Sequence, residues 1–565
     1  MGWFATRERT GAVLGIHRLR ELPRVPTEGV TRIDGEGRTH WVDAGTRSHA
    51  EWSGDALEGP LRTHAERNDW ELTPHPDLLA FYRTLAARSP AVSMREIGRT
   101  REGRPLHLVT LARPGVMTPQ EAHASGRPIL FIGAQVHGDE PAGKEGLMQF
   151  ARDLVEGPLQ PLLDEVIFLF VPQMNPDGAE AGTWGLRANT AGFNLNRDAL
   201  RLDNPETRAI VGEVLIPWQP DVVVDAHELG GPPRVYDFYT WHPTNPHGPS
   251  SPMHLTGDRL IPAIVDALED NGFSHIIYHT PGGLTRLAQE PETGIAVPVY
   301  GRTLNDYAAS RGLSTILFES LRESDARVGI EDRARRQYVA MEALAREMAT
   351  HPEAVRGALH DGRREMAERG LQWDPSDSIA VLREPIPSRT VAYDVAEFVR
   401  VETDEGESWE PSGEIITVEA PLYDSSRVTL GRTRPVGYLI EPHRGDLVEA
   451  LRAHGIRVDR LLEGATLPVE SFRIDSLSLS SSVYEGYVPQ QFRTHLEERS
   501  VEVDAGAWLV RGDQPSAALV FHLLEPDDEN SFAITGAFLS EARVGGVLPV
   551  HRLRELPALP TRAVP

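Results

Sequence analysis

"PILFIGAQVHGDEPAG", residues 128–143, decides how the rest of the chain reads. Its first six residues suit a strand buried on both faces. His137, Asp139 and Glu140 then fall within four residues, just ahead of Pro141 and Ala142. Three such side chains do not build a core. Leu147, Phe150, Ala151, Leu154 and Val155 follow at helical spacing, and Gly157 closes the run. The polar cluster therefore sits where a strand ends and a helix begins. Open α/β sheets place ligand sites at that end of their strands.

The same pattern recurs on both sides. "VIFLFVP" (166–172), "DVVVDA" (221–226), "SHIIY" (274–278) and "STILFE" (314–319) read as further strands, with helical stretches near 204–217, 256–271 and 327–350. Strands alternating with helices imply an α/β fold with a mostly parallel or mixed sheet covered on both faces. This region spans 71–355. Residues 1–70, rich in charge, Gly and Pro, read as an irregular extension. Residues 356–375 read as a charged helical linker. Residues 376–565, with "SGEIITVEA", "PVGYLIE" and "GAWLVR", read as a smaller α+β domain. Within it, Asp513 and Pro515 of "DQPSAALVFHLLEP" suit a helix N-terminus. "GAVLGIHRLRELPRVPT" (11–27) matches "GGVLPVHRLRELPALPT" (545–561) at 12 of 17 positions. Two copies at opposite ends do not make a solenoid, and both are expected to be extended segments ending in a proline turn.

Composition narrows the chemistry. With 40% hydrophobic and 25% charged residues, the 565-residue chain is an ordinary globular protein. A formal charge of −26 argues against nucleic acid and anionic membranes as partners. Cysteine is absent, so a bound metal must use His, Asp or Glu. No stretch approaches the roughly 18 apolar residues of a spanning helix. "GAVLGI" is short for a signal-peptide core, so the expected location is cytoplasmic.

His-x-x-Glu occurs three times, as His137/Glu140, His495/Glu498 and His522/Glu525. The second lies in the charged stretch "HLEERS" and reads as solvated surface. The third lies on an apolar helix and reads as a packed histidine. The first is set apart by its companions. "DVVVDAHELGG" delivers His227 at another strand end, "STILFESL" delivers Glu319, and "GLRANTAGFNLNRD" brings Arg187, Asn196 and Arg197. A catalytic zinc takes about three protein ligands and keeps a position for water. His137, Glu140 and His227 supply three, with Asp139 as the competing carboxylate. Glu319 is the candidate for moving the proton of a zinc-bound water to a leaving amine. Arg187 is placed to face a developing oxyanion. Arg197, with Asn196 beside it, offers a planar fork for a substrate carboxylate.

Taken together, HGDE, NPDG, Arg187, "NLNRD", "DAHE" and "ILFES" resemble the zinc carboxypeptidase family of the carboxypeptidase A type, over about residues 75–350. The resemblance implies a three-layer α/β/α sandwich around a mixed, largely eight-stranded sheet. It implies one Zn2+ per chain on His137, Glu140 and His227, with Glu319 as general base and acid and Arg187 at the oxyanion. It also implies Asn196 and Arg197 on the C-terminal carboxylate of a peptide. "GYLIEPHRGDLVEALRAHGIRVDRL" is similar to large bacterial members that carry a C-terminal extension. Two departures stand out. Asn194 occupies a position where the family usually has Asp orienting a zinc-binding histidine. The tyrosine that often covers the substrate has two candidates here, Tyr300 and Tyr307.

The leading expectation is a metallocarboxypeptidase. Its rivals are a zinc amidohydrolase acting on N-acyl amino acids or another small amide, and a catalytically silent binding module. About 90 residues separate His137 from His227, with a similar gap to Glu319, which favours the first.

Overall fold

The computed structural model describes residues 30–33, 39–42, 61–230, 234–243, 248–279, 294–296, 302–323, 325–403 and 406–564. The first copy of the repeat lies outside them, as does Tyr300. β1 (Val30–Ile33) and β2 (Thr39–Val42) form an antiparallel pair. A central sheet follows, from β3 (Val92–Arg99), β4 (Pro105–Leu111), β5 (Ile129–Ala134), β6 (Ile167–Val171), β7 (Val222–Gly230), β8 (Phe238–Trp241) and β9 (His275–Ile277). After the short β10 (Ile295–Ala296), β11 (Ser314–Arg322) returns to complete it. The order is β3-β4-β6-β5-β7-β11-β8-β9, eight strands in all. The inner pairs β6/β5, β5/β7 and β7/β11 are parallel, while β3/β4, β4/β6 and β11/β8 are antiparallel.

Alternation along each strand builds the two covering layers. Leu130, Ile132, Phe168, Val224 and Ile316 point to a face covered by the helices Ala142–Glu156 and Ile330–Thr350, through Leu147, Phe150, Met341 and Leu344. Phe131, Leu169 and Val223 point the other way, towards Val211 and Val214 of the helical stretch 205–218 and Tyr307 of the helix Leu304–Ser310. This is the three-layer sandwich around a mixed sheet that the resemblance implied.

The register of the inner strands sets up the site. Ala134 pairs with Ala226, and Glu319 pairs directly with His227. Two strand ends therefore hold a histidine and a glutamate side by side. The chain leaving β5 reaches the same level one residue past Ala134.

Beyond the helix Pro352–Arg369 the chain is rich in antiparallel strands. β12 (Ser378–Ile386) pairs with β15 (Ser425–Thr433), and β13 (Arg389–Thr403) with β14 (Gly406–Tyr423). A seven-stranded sheet takes in β16 (Gly437–Ile440), β17 (Asp459–Leu461), β18 (Ala465–Leu479), β19 (Gln490–Val503), β20 (Trp508–Arg511), β21 (Val547–Leu553) and β22 (Thr561–Ala563), in the order β19-β18-β21-β16-β20-β17-β22. The second copy of the repeat supplies β21 and a proline-rich extended tail. The helix Ala517–Leu524 starts after Ser516, later than the sequence suggested, and Asp513 instead pairs with Arg511. Leu519 and Val520 of that helix and Leu447 and Leu451 of the helix Gly445–Ala453 share one apolar core with Phe131 and Val223 of the central sheet.

Candidate metal centre

The HGDE stretch leaves β5 through Gln135, whose φ of 54° is left-handed and uncommon for a side chain of this size. The strained residue is held at both ends of its amide. Its Nε2 donates to Gly138 O at 2.8 Å, and its Oε1 accepts from Gln173 Nε2 at 2.9 Å. Gly138 permits the next step. A Cβ there would lie 2.2 Å from the backbone of Gly178, so the loop and the NPDG turn touch through their main chains. Asp177 of that turn accepts from Thr100 Oγ1 at 2.7 Å and Arg104 NH1 at 2.7 Å, which braces it against the β3–β4 connection.

This geometry aims three donors at one point. His137, Glu140 and His227 are buried, and one donor atom from each lies within 4.8 Å of the others. The His137 and His227 Nδ1 atoms stand 3.1 Å apart, at 2.9 and 2.8 Å from the two Glu140 oxygens. The outer nitrogens are also committed. His227 Nε2 lies 2.9 Å from Asp225 Oδ2. His137 Nε2 lies 3.1 Å from Asn194 Oδ1, and the same oxygen accepts the Asn196 N–H at 3.0 Å, which fixes the amide's orientation. His137 thus donates from Nε2 to Asn194, His227 Nε2 lies between Asp225 and the Asn196 amide nitrogen at 3.1 Å, and both rings turn Nδ1 inward. A buried carboxylate and two inward imidazole nitrogens make a donor set suited to zinc.

Asp139, the competing carboxylate, accepts from Arg322 NH2 at 2.8 Å and stands outside this group. Glu228, next to His227, is equally structural. It accepts the Ala142 N–H at 2.8 Å at a helix start and pairs with buried Arg333.

Electrostatics agree with the geometry. Burial pushes the His137 imidazole down, with Glu140 opposing. Burial also works against charge on His227, but Asp225 and Glu140 together hold it well above the usual range. Glu140 stays well below the usual carboxylate range because His137 and His227 outweigh its burial. The three groups thus favour a positive charge beside the Glu140 carboxylate, the charge a metal ion would supply.

The remaining residues lie around this centre. Glu319, on the strand beside His227, is 7% exposed, and its Oε2 is buried without a hydrogen-bond partner. Burial pushes its pKa up to about 8, against the pull of His227 and with Glu140 adding to it. Arg187, half exposed, donates from NH1 to Glu140 Oε1 at 2.8 Å. Arg197 NH1 donates to Asn196 O at 2.8 Å, and no carboxylate among the described residues pairs with Arg197. Asn196 is buried and its Oδ1 accepts the Leu304 N–H at 2.8 Å.

Tyr307 is no cover for a substrate. It is 1% exposed, and its hydroxyl lies 3.2 Å from His454 Nδ1, inside the core. Phe238, Tyr239 and Trp241 of "VYDFYTW" lie in β8 and are buried, with Phe238 against Phe318. His495 pairs with Asp475 on the surface at 2.7 Å, and His522 with Asp528 in the interior at 2.9 Å, so neither belongs to a metal site. Asp225 went unassigned in the sequence, although its place two residues before His227 in "DAHE" is a readable signal. Tyr278 and Arg234 gave none. The Arg234 charge pulls the Glu319 pKa down, while burial, with Glu319 adding to it, raises the Tyr278 phenol.

Residues 78–206 match the family model described as zinc carboxypeptidase. Carboxypeptidase 2 of Trichophyton rubrum is 27% identical over 497 residues, covering 84% of this chain and 85% of that protein. These matches support the zinc carboxypeptidase family for this chain. The match to carboxypeptidase 2 is long enough to run well past residue 355, into the C-terminal strands. Carboxypeptidase E of Caenorhabditis elegans is 32% identical over 163 residues, 26% of this chain and 34% of that protein. Among solved structures, carboxypeptidase A of Helicoverpa armigera superposes with a TM-score of 0.39 at 16% identity, covering 50% of this chain and 74% of that one. Among the described residues, no helix is long and apolar enough to cross a membrane.

Two outcomes test the centre. His137→Ala and His227→Ala should each lose the one zinc per chain on gel filtration, because two ligands bind weakly. His495→Ala and His522→Ala should keep it, as metal analysis would read. Loss of zinc from either control would place the site elsewhere.

The second outcome concerns pH. The folded pKa of Glu319, about 8, lies above its unfolded value near 4.5. Its contribution to stability is then fully present below about pH 4.5 and is lost as pH rises towards 8, by on the order of a few kcal/mol. Melts of metal-free protein between pH 5 and 8 should fall in stability, and Glu319→Gln should flatten that fall. Parallel curves for the two proteins would show that the carboxyl is not held protonated.

Proposed function

We propose that residues 71–355 carry a metallocarboxypeptidase site that removes the C-terminal residue of peptides with a free carboxylate. The observation that carries this reading is the convergence of His137, Glu140 and His227, with Glu319 one strand away in register. His137 Nδ1, Glu140 and His227 Nδ1 would hold the metal. Zinc, when bound there, supplies a Lewis acid that lowers the pKa of a coordinated water towards about 7 and a charge that favours ionised Glu319.

The chain's own groups do the rest. Asn194 and Asp225 hold the two imidazoles in the tautomer that keeps Nδ1 free. Glu319 takes the proton of the attacking water and returns it to the amine that leaves as the C–N bond breaks. Arg187, beside Glu140, supplies N–H donors where the carbonyl oxygen gains charge. Arg197, paired by no carboxylate among the described residues, receives the terminal carboxylate, with Asn196 beside it. Burial around Glu319 keeps bulk water from competing for that proton.

The experiment is a substrate screen on zinc-loaded protein, with released amino acids read by mass spectrometry. Free-acid peptides should lose one residue from the C-terminus. If only N-acyl amino acids were hydrolysed, the amidohydrolase reading would replace this one.

A further inference from the structure

We infer that Glu485, in the turn joining β18 and β19, is a positioning residue for the metal centre, acting through Asn194 on His137. For the reaction it rests on the carboxypeptidase reading. For the metal it stands on the geometry of this chain.

The turn is tight and built. Tyr484 and Tyr487 exchange backbone hydrogen bonds at 2.7 and 3.0 Å, so only Glu485 and Gly486 lie between them. Both are left-handed, with φ of 45° and 81°. That pattern is a type I′ hairpin turn, in which glycine suits the second position and a glutamate at the first is strained. A non-glycine in such a conformation is retained where its surroundings hold it.

The surroundings come from the metal-site segment. Arg201 NH1 donates to Glu485 O at 2.7 Å, and its guanidinium lies 4.5 Å from the centre of the Tyr487 ring. Arg302 NH1 donates to the Tyr487 hydroxyl at 2.6 Å. Gly486 sits against Phe193 so closely that a Cβ would lie 2.8 Å from the ring. With the main chain of the turn held in this way, the side chain of Glu485 is directed at one target. Its Oε2 accepts the Asn194 N–H at 2.9 Å.

Asn194 is the link. Its Oδ1 accepts from His137 Nε2 at 3.1 Å and from the Asn196 N–H at 3.0 Å. Glu485 therefore fixes the backbone end of the residue whose side chain orients a metal ligand. Asn194 carries no charge, so Glu485 also brings the nearest negative charge on this route to His137. The contact spans 291 residues of sequence. It gives the C-terminal β region a part in a site whose ligands all lie before residue 230.

The test measures zinc affinity by competition with a chromophoric chelator, and kcat/KM on a free-acid peptide. Glu485→Ala should weaken zinc binding about 10-fold, the lower end for groups that orient metal ligands, and lower kcat/KM by a similar factor. Glu485→Gln, whose carboxamide oxygen still accepts the Asn194 N–H, should recover most of both. Glu485→Gly relaxes the strained turn and should nevertheless lose zinc affinity as Glu485→Ala does. A merely structural turn would leave that variant at the wild-type value. Val483→Ala, on the exposed flank of the same turn, should change nothing.

In an Asn194→Ala background, Glu485→Ala should add no further loss of zinc affinity, since the link is already cut. Zinc affinity within about twofold of wild type in Glu485→Ala, or losses that add in the double variant, would overturn the inference. If wild-type protein cleaved no free-acid peptide, the substrate reading would fail, and the zinc arm would still decide the role of Glu485.

Discussion

Glu319→Gln should keep its zinc and lose turnover by at least about 100-fold, the usual scale for a general acid–base group. The substitution is nearly isosteric and removes only the capacity to take and give a proton. Nothing else among the described residues can replace it. Glu140 is engaged by both imidazoles and Arg187, Asp225 by His227, and Asp139 by Arg322. Glu319 Oε2 is buried without a hydrogen bond, and among the described residues Glu319 has no ion-pair partner, unlike Glu140, Asp225 and Asp139. Its freedom is what a proton shuttle needs. The loss should appear in kcat with little change in KM, because Glu319 does not anchor the substrate. Metal analysis on the same preparation separates loss of chemistry from loss of zinc. A fully active Glu319→Gln protein would remove Glu319 from the mechanism.

Amidating the C-terminus of a good substrate should lower cleavage by on the order of 30-fold to 1,000-fold. An ion pair in a cleft is strong, and leaving one partner unpaired costs roughly 2–5 kcal/mol. On the proposed reading the anchor is Arg197, whose NH1 donates to Asn196 O. Arg197→Ala should lose a similar factor on the free acid and little on the amide, where the interaction is already gone. The double comparison isolates the carboxylate contact from any general damage to the site. Equal cleavage of amide and acid by wild-type protein would sink the carboxypeptidase reading.

The metal ligands were legible because their positions follow from strand ends. A run such as "STILFES" must be buried, and the polar residue that ends it has to face a rim. The choice of Glu140 over Asp139 was also open to sequence reasoning, whereas the partner that draws Asp139 away, Arg322, lies 183 residues on. The outer partners were harder. Asn194 and Asp225 act through ring nitrogens whose direction only the fold sets. The ribbon β13–β14 was largely missed, because its charged and apolar residues mix along both faces, as in "AEFVRVETDEGESWEPSGE". Tyr307 misled for a related reason. Its helical position is visible in sequence, but the core it enters is shared with His454, from a region read as separate.

The parallel pairing of β7 with β11 has a consequence for how this protein can change. Glu319 and His227 are neighbours through main-chain hydrogen bonds in the middle of a sheet, where amides exchange only when the whole fold opens. The spacing between Glu319 and His227, the proposed proton carrier and metal ligand, is thus set by the sheet rather than by a loop. Arg187 and Arg197 sit on connecting segments instead, outside any strand. Inheritance can therefore revise what the enzyme accepts, one connecting segment at a time, while the bond-breaking step passes unaltered from ancestor to descendant.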